Sequence, residues 1–427
     1  MTLVKTGFLN AIAVAIRILS SIVLNKILAI YVGPSGYAII GQFQNLVTML
    51  TTFANGATNT GVTKGTAEHF DDPDRQVLLW RTAGTITIVG STIVGLGLAL
   101  FSRSLAERLL GDENLASVLI WLGVSLVFIA LNGLLLAILN GKKAIKLFVM
   151  ITIAGSLIGL GMTGALTVAF GLEGALTALS LNQAIVFLVT AVACLRQPWF
   201  RPSMLVGAID RDALRELLKF TAMALTSAIM VPLTQLFIRD HLIDDFGLAS
   251  AGYWDALTRI SALYLMVVTV PLSIYYLPRL AEIRDMGELK REIFSGYKLI
   301  VPVTILGAVT IYLLRDVIIL ILFTPDFAPM RDLFAWQTVG DVLKISSWLL
   351  GYILIARGMM KPFIATEIFF GFSWYVLVRL LTPYFGLEGA QIAYAINYLL
   401  YIVALSFILH IFLKRQAEHE NNAFRGV

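Results

Sequence analysis

The chain has 427 residues, of which 58% are hydrophobic and 14% charged, whereas a soluble globular chain carries roughly 25% charged residues. Its apolar residues fall in blocks of about 20 to 25, long enough to cross a hydrocarbon core ~30 Å thick. Soluble enzymes, nucleic-acid binders and disordered proteins are excluded as first readings, and the formal charge of +5 says little until the side of the membrane that carries it is known.

About 248 apolar side chains would fill roughly a dozen spans. Taken in chain order, hydropathy predicts helices at 8–32, 36–62, 82–101, 115–139, 145–169 and 173–195, then at 217–239, 252–277, 299–322, 333–356, 362–384 and 388–413. The first block, Phe8 to Val32, is longer than the apolar part of a signal peptide. It ends in Gly33-Pro34-Ser35-Gly36, a turn and not a cleavage site, and so reads as a retained first span. An even number of spans returns both termini to one side. With that side cytoplasmic, Lys and Arg divide as 22 cytoplasmic and 5 external, with Arg17, Lys26, Arg259, Lys344 and Arg379 inside spans. Positive charge concentrates on the cytoplasmic side of membrane proteins, which sets the expected orientation. Pro232, Pro271 and Pro302 fall within spans, where they can kink helices, and Pro278 reads as a helix stop.

One hexapeptide occurs twice. Phe170-Gly171-Leu172-Glu173-Gly174-Ala175 returns as Phe385-Gly386-Leu387-Glu388-Gly389-Ala390, an offset of 215 that is close to half the chain. Each copy sits at the turn into the last helix of its half, and each last helix carries an Asn at the matching place, Asn182 and Asn397. Duplication of a six-helix unit explains this. The predicted fold is therefore all-α and polytopic, with about 12 transmembrane helices in two pseudo-symmetric six-helix lobes related by an axis along the membrane normal. The lobes fall at 1–200 and 217–413, joined by a linker at 201–216 and followed by a tail at 414–427.

Catalytic signatures are lacking. Cys194 is the sole cysteine, and His69, His241, His410 and His419 show no metal-ligand spacing. Gly159-Leu160-Gly161-Met162-Thr163-Gly164 spells a GxGxxG, yet it lies inside a predicted span with no strand before it. With Gly155 it reads better as close helix packing. No Walker motif or Ser-His-Asp arrangement offers itself.

Charges inside spans carry more information, since each costs roughly 2.5 to 3.5 kcal/mol near a helix centre. Arg17 has no acidic residue in its own predicted helix and must be compensated by another helix or by a ligand. Lys26 is about half a turn out of phase with it and can snorkel outward. Asp341 with Lys344 (i, i+3) and Asp255 with Arg259 (i, i+4) have the spacing of self-neutralising pairs on one helix face. Glu367 and Arg379 are too far apart to pair within their helix. Gln42, Gln44, Asn45, Asn55, Asn59 and Thr60 make the second span over-polar for a lipid-facing helix and suit a water-filled cavity or sugar hydroxyls; hydrogen bonds between helices are the alternative. Trp336, Trp348, Tyr352, Trp374 and Tyr375 could stack on sugar rings or serve in packing and interfacial belts.

Along nearly its whole length the chain resembles the Wzx-type lipid-linked oligosaccharide flippases, the O-antigen and enterobacterial common antigen translocases of the multidrug, oligosaccharidyl-lipid and polysaccharide exporter superfamily. The resemblance is carried by Phe8 to Gly36 with Arg17, Lys26 and the Gly33-Pro34 turn, by Gly61-Val62-Thr63-Lys64, and by Met330-Arg331-Asp332-Leu333-Phe334-Ala335-Trp336-Gln337 with Gly340-Asp341-Val342-Leu343-Lys344. Around Asp71 to Arg75 and through the third to sixth spans little but hydropathy matches.

The resemblance implies a V-shaped pair of lobes in the bacterial inner membrane and a substrate that is an undecaprenyl-pyrophosphate-linked oligosaccharide. It implies membrane lipids, a polysaccharide polymerase and a chain-length regulator as partners, with no cofactor, metal or nucleic acid. In that frame Arg17, Lys26, Lys64, Arg259 and Arg379 are candidate diphosphate contacts. Gln42, Asn45, Asn55, Asn59, Trp336 and Trp348 are candidate glycan contacts, and Asp341, Lys344 and Glu367 form a coupling or structural group. Two other readings stand beside it: a multidrug/cation antiporter of the same superfamily, and a membrane-embedded polysaccharide polymerase or ligase. The antiporter would want carboxylates inside the first six spans, and the polymerase would want an external loop longer than Ser102 to Asn114.

Overall fold

Apolar runs of this length can satisfy their backbone hydrogen bonds in hydrocarbon only as helices or closed barrels, and every regular element among the described residues is helical. The computed structural model describes residues 3–272, 276–283 and 285–425. In the first half the long helices are α1 (Leu3–Tyr31), α2 (Gly33–Ala54), α3 (Pro73–Leu100) and α4 (Ala116–Gly141). They are followed by a run, Ile145–Leu195, that bends at Gly171 and supplies α5 (145–170) and α6 (172–195). The second half supplies α7 (Arg211–Phe246), α8 (Leu248–Pro271), α9 (Met286–Leu313), α10 (Phe334–Ala356), α11 (Met360–Phe385) and α12 (Gly389–Arg425). All twelve reach spanning length. Pro232 and Pro302 lie inside α7 and α9, while Pro271 closes α8. Pro278 opens the short helix Leu277–Glu282 and does not act as a stop.

The second span departs from the expected 36–62. It ends at Ala54, and a short helix, Asn59–Glu68, begins only after a turn. Gly56 and Ala57 both take positive φ, 58° and 52°, and the Asn55 side chain accepts from the Ala57 amide at 2.8 Å. Asn-Gly-Ala-Thr-Asn-Thr-Gly is turn-forming sequence, in which a short side chain bonding its own backbone competes with the helix.

The repeated hexapeptide has one geometry in both halves. Gly171 has φ 58° and ψ −132°, and Gly386 has φ 59° and ψ −147°, a conformation costly for any residue with a Cβ. Three residues on, the second glycine backs onto the preceding helix eight residues earlier. A Cβ on Gly174 would lie 2.0 Å from the Leu166 carbonyl oxygen, and one on Gly389 would lie 2.7 Å from the Leu381 carbonyl carbon. Both glycines of the motif are thus needed sterically, the first for the sharp turn and the second for contact.

The chain forms two compact units, Met1–Leu236 with Leu322–Thr324, and Phe237–Ile321 with Pro325–Val427. In the first, α4 packs against α3 and the α5–α6 run, and α1 packs along that run. At one end Lys142 in the α4–α5 connector lies over Phe70, Trp80 and Trp199 at 5.5, 5.6 and 5.5 Å, and burial lowers its pKa from the usual lysine value. The segment before α7 is tied to α3: Gly207 exchanges two hydrogen bonds with Thr85 Oγ1 (3.0 and 3.2 Å), and the Asp210 amide donates to Thr82 Oγ1 at 3.1 Å. Leu217 then packs on Gly61, where a Cβ would meet its Cα at 3.2 Å. In the second unit α10 is central, packed by α12, α9 and α8.

Gly174→Leu and Gly389→Leu are each expected to destabilise the protein by about 1–3 kcal/mol through overpacking. Gly97→Leu, with nothing within 4 Å of its Cβ position, should leave stability unchanged; thermal unfolding of the detergent-purified variants measures the difference.

Candidate functional site

In the first unit Arg17 is exposed on α1, and among the described residues it makes no hydrogen bond or ion pair. Lys26 is half-buried and donates to the Phe323 carbonyl oxygen, so it is engaged by backbone and does not snorkel free. Lys64 lies in the short helix Asn59–Glu68 and pairs with Glu68 at 3.5 Å, both side chains about half exposed. The three first-unit cations therefore differ in kind, and Arg17 alone of them keeps its donors for a partner outside the described protein.

The polar residues expected on the second span divide at the turn. Gln42 is buried and Asn45 half-buried on α2, and Asn45 Nδ2 is buried without a hydrogen-bond partner. Asn55 is 6% exposed and shapes the turn, and Asn59 starts the following short helix with a buried, unbonded Oδ1. Asn55 thus shapes the corner, its carboxamide oxygen accepting from the Ala57 amide. Near one end, His69 Nε2 lies 3.2 Å from Glu216 Oε2 in a cleft also lined by Glu68, Arg75, Asp212 and Arg215. No group of three or more His, Cys, Asp or Glu among the described residues is placed to hold a metal ion.

The second unit corrects both expected intrahelical pairs. Asp255 does not neutralise Arg259. It takes a two-pronged pair from Arg239 of α7, Nε to Oδ2 at 2.7 Å and Nη2 to Oδ1 at 2.6 Å, with Arg239 only 1% exposed and resting 5.6 Å from the Trp254 ring. The planar guanidinium matches a carboxylate fork, which a half-buried Arg259 one helical turn away could not do while α7 presents a better-oriented partner.

Asp341 likewise forms no ion pair with Lys344 among the described residues. Its Oδ2 accepts from Ser261 Oγ (2.6 Å) and Tyr264 OH (2.7 Å), and its Oδ1 from Gln337 Nε2 (3.2 Å) and Tyr394 OH (2.9 Å). An ionised carboxylate offers about four lone-pair sites, and all are taken. Lys344 turns instead to rings, with Nζ 5.2 Å from Trp348, 5.9 Å from Tyr394 and 5.8 Å from Tyr398. Glu367 accepts from Tyr401 OH at 3.5 Å.

Arg379 is exposed, its Nη1 bonded to Tyr375 OH at 3.4 Å. Trp336 is 41% exposed, and Trp348 is half-buried beside Lys344. Sequence reading missed Ser261, Tyr264, Tyr394 and Tyr398. The signal available for the last two was the Tyr394, Tyr398, Tyr401 stripe at i, i+4, i+7 on one face of α12.

The polysaccharide biosynthesis protein family matches residues 3–284. The chain belongs to that family. It is 30% identical over 401 residues to the lipid III flippases of Escherichia coli K12 and Shigella flexneri, covering 94% of this chain and 96% of each relative. Its fold is that of MOP-superfamily transporters. A multidrug resistance MATE family transporter in an inward-facing conformation superposes with a TM-score of 0.80 at 15% identity, covering 94% of this chain and 96% of that one. A MOP superfamily transporter from Pyrococcus furiosus gives 0.72 at 16% identity, covering 96% of each. These relatives of the polysaccharide biosynthesis family member are flippases and transporters, not enzymes.

Asp255→Asn is expected to lower stability by about 3–5 kcal/mol, because it leaves a buried guanidinium without its counter-charge. Joint replacement, Arg239→Met with Asp255→Leu, should recover most of the loss; melting temperatures of the purified variants test both.

Proposed function

We propose that this protein is a flippase that carries an undecaprenyl-diphosphate-linked oligosaccharide, an O-antigen or enterobacterial common antigen repeat unit, between the leaflets of a bacterial inner membrane. The observation that carries the proposal is the near full-length 30% identity to lipid III flippases, joined to an exposed arginine within an apolar span. The termini lie in the cytoplasm on this reading, because the Lys and Arg excess falls on their side. The substrate then moves outward, with a polysaccharide polymerase and a chain-length regulator receiving its glycan.

The chemistry of such a substrate fits the chain. A diphosphate diester carries about two negative charges, so moving it outward across an inside-negative membrane gains about 4.6 kcal/mol per 100 mV, and the sequence has no motif for nucleotide hydrolysis. Arg17 presents a guanidinium suited to phosphate oxygens, and Gln42 and Asn45 supply amides for sugar hydroxyls. A cation antiporter is less well supported: α1 to α6 carry no acidic residue in their interiors, Asp74 lying in the first turn of α3 and Glu173 beside the Gly171 bend.

Arg17→Ala is expected to abolish surface glycan in a strain that depends on this protein while its level in the membrane stays at wild type. Full surface glycan in that variant removes Arg17 from the diphosphate site. Expression in Escherichia coli lacking its own lipid III flippase, with surface enterobacterial common antigen measured by immunoblot, tests the substrate. Restoration supports that glycan, and failure with normal membrane insertion points to an O-antigen unit.

A further inference from the structure

Lys344 lies near the middle of α10, ten residues after Phe334 and twelve before Ala356, where an ammonium is costly in hydrocarbon. Its nearest acidic neighbour along the helix, Asp341, is saturated by hydroxyl and amide donors from α8, α10 and α12. The other carboxylate of this region, Glu367, accepts from Tyr401. Among the described residues neither forms an ion pair with Lys344, and what surrounds the ammonium is the rings of Trp348, Tyr394 and Tyr398.

Rings stabilise a cation electrostatically, by about 0.5–2 kcal/mol each, without occupying the three N–H donors of an ammonium as an oxygen acceptor would. Asp341 acts from one turn away. Its lone pairs are already filled by other donors, so it leaves the N–H donors of Lys344 uncapped. Lys142 has a comparable aromatic enclosure in the first unit, yet it sits in a connector outside the spans, where water and headgroups supply acceptors. Lys344 at mid-span has no such supply. Lys344, Trp348 and Tyr398 are all half-buried, so none of the three is sealed into the core.

An ammonium next to open aromatic surface is a recognition pair for a phosphorylated sugar, the anion meeting the N–H donors and the apolar face of the pyranose meeting a ring. We infer that Lys344, Trp348 and Tyr398 form a second-unit site for the phosphate-linked first sugar of the lipid-borne glycan, with Asp341 as the residue that positions the lysine. The inference rests on the flippase reading above and extends it.

The test uses full-length protein in nanodiscs and two probes, farnesyl diphosphate and farnesyl diphosphate bearing N-acetylglucosamine, with affinities measured by microscale thermophoresis. Lys344→Met is expected to weaken binding of the sugar-bearing probe by at least about tenfold, the loss of one charge-assisted hydrogen bond. Lys344→Arg, which keeps charge and donors, should retain binding. Trp348→Leu should weaken the sugar-bearing probe and leave the bare diphosphate unaffected. Melting temperatures of all three variants identify any that fail to fold, and for such a variant Lys344→Gln or Trp348→Phe takes its place.

Wild-type affinity in Lys344→Met, or equal loss of both probes in Trp348→Leu, overturns the site while the flippase reading stands. If wild-type protein binds neither probe, the flippase reading fails and the site falls with it.

Discussion

A carboxylate inside a membrane-spanning bundle has to find its donors within the protein, since hydrocarbon supplies none. Asp341 meets that demand by drawing hydroxyls from two helices and an amide from its own: Ser261 and Tyr264 from α8, Tyr394 from α12 and Gln337 one turn earlier on α10. The three helices must keep their relative register for all four bonds to persist. Removing a single donor would leave a buried anion under-satisfied, so the group works as a joint whose parts are not independent. The orientation of Lys344, the placing of Tyr394 against Trp374 at 5.3 Å and the packing of Gly340 beneath the Tyr394 ring all follow from it.

The same demand is answered differently a few turns along. Asp255 and Arg239 satisfy each other in a two-point pair, with the Trp254 ring against the guanidinium. Pairing two charges removes net charge from that end of the bundle and leaves nothing for a ligand. The Asp341 group encloses a carboxylate in neutral donors and leaves Lys344 against aromatic rings. Buried charge in this unit therefore has two forms, one an ion pair closed on itself and one held among hydroxyls and rings, and only the geometry of the donors distinguishes them.

Much of the architecture was legible beforehand, for identifiable reasons. Span positions come from the length of apolar runs, a property that a bilayer enforces residue by residue. The repeated Phe-Gly-Leu-Glu-Gly-Ala signals a geometric requirement, a positive φ at Gly171 and Gly386 and contact without a Cβ at Gly174 and Gly389. Partners were harder to read. Asp255 has Arg259 at an attractive spacing, but its real partner, Arg239, lies sixteen residues earlier across a helix–helix turn, and helical spacing cannot rank a distant residue above a near one. Asp341 and Lys344 share a helix face without forming an ion pair, since four neutral donors from three helices fill the carboxylate. The break after Ala54 was written in Asn55-Gly56 but hidden by the apolar residues on either side.

The sequence repeat and the packing of the chain do not share a boundary. An offset of 215 places the start of the second copy near residue 216, yet the first compact unit continues to Leu236, held by the contact of Leu217 on Gly61 and by the bonds of Gly207 and Asp210 to α3. About twenty residues at the head of the second copy have been annexed by the first. Cutting the chain near residue 216 would therefore remove from the first unit the opening turns of α7 that pack on it.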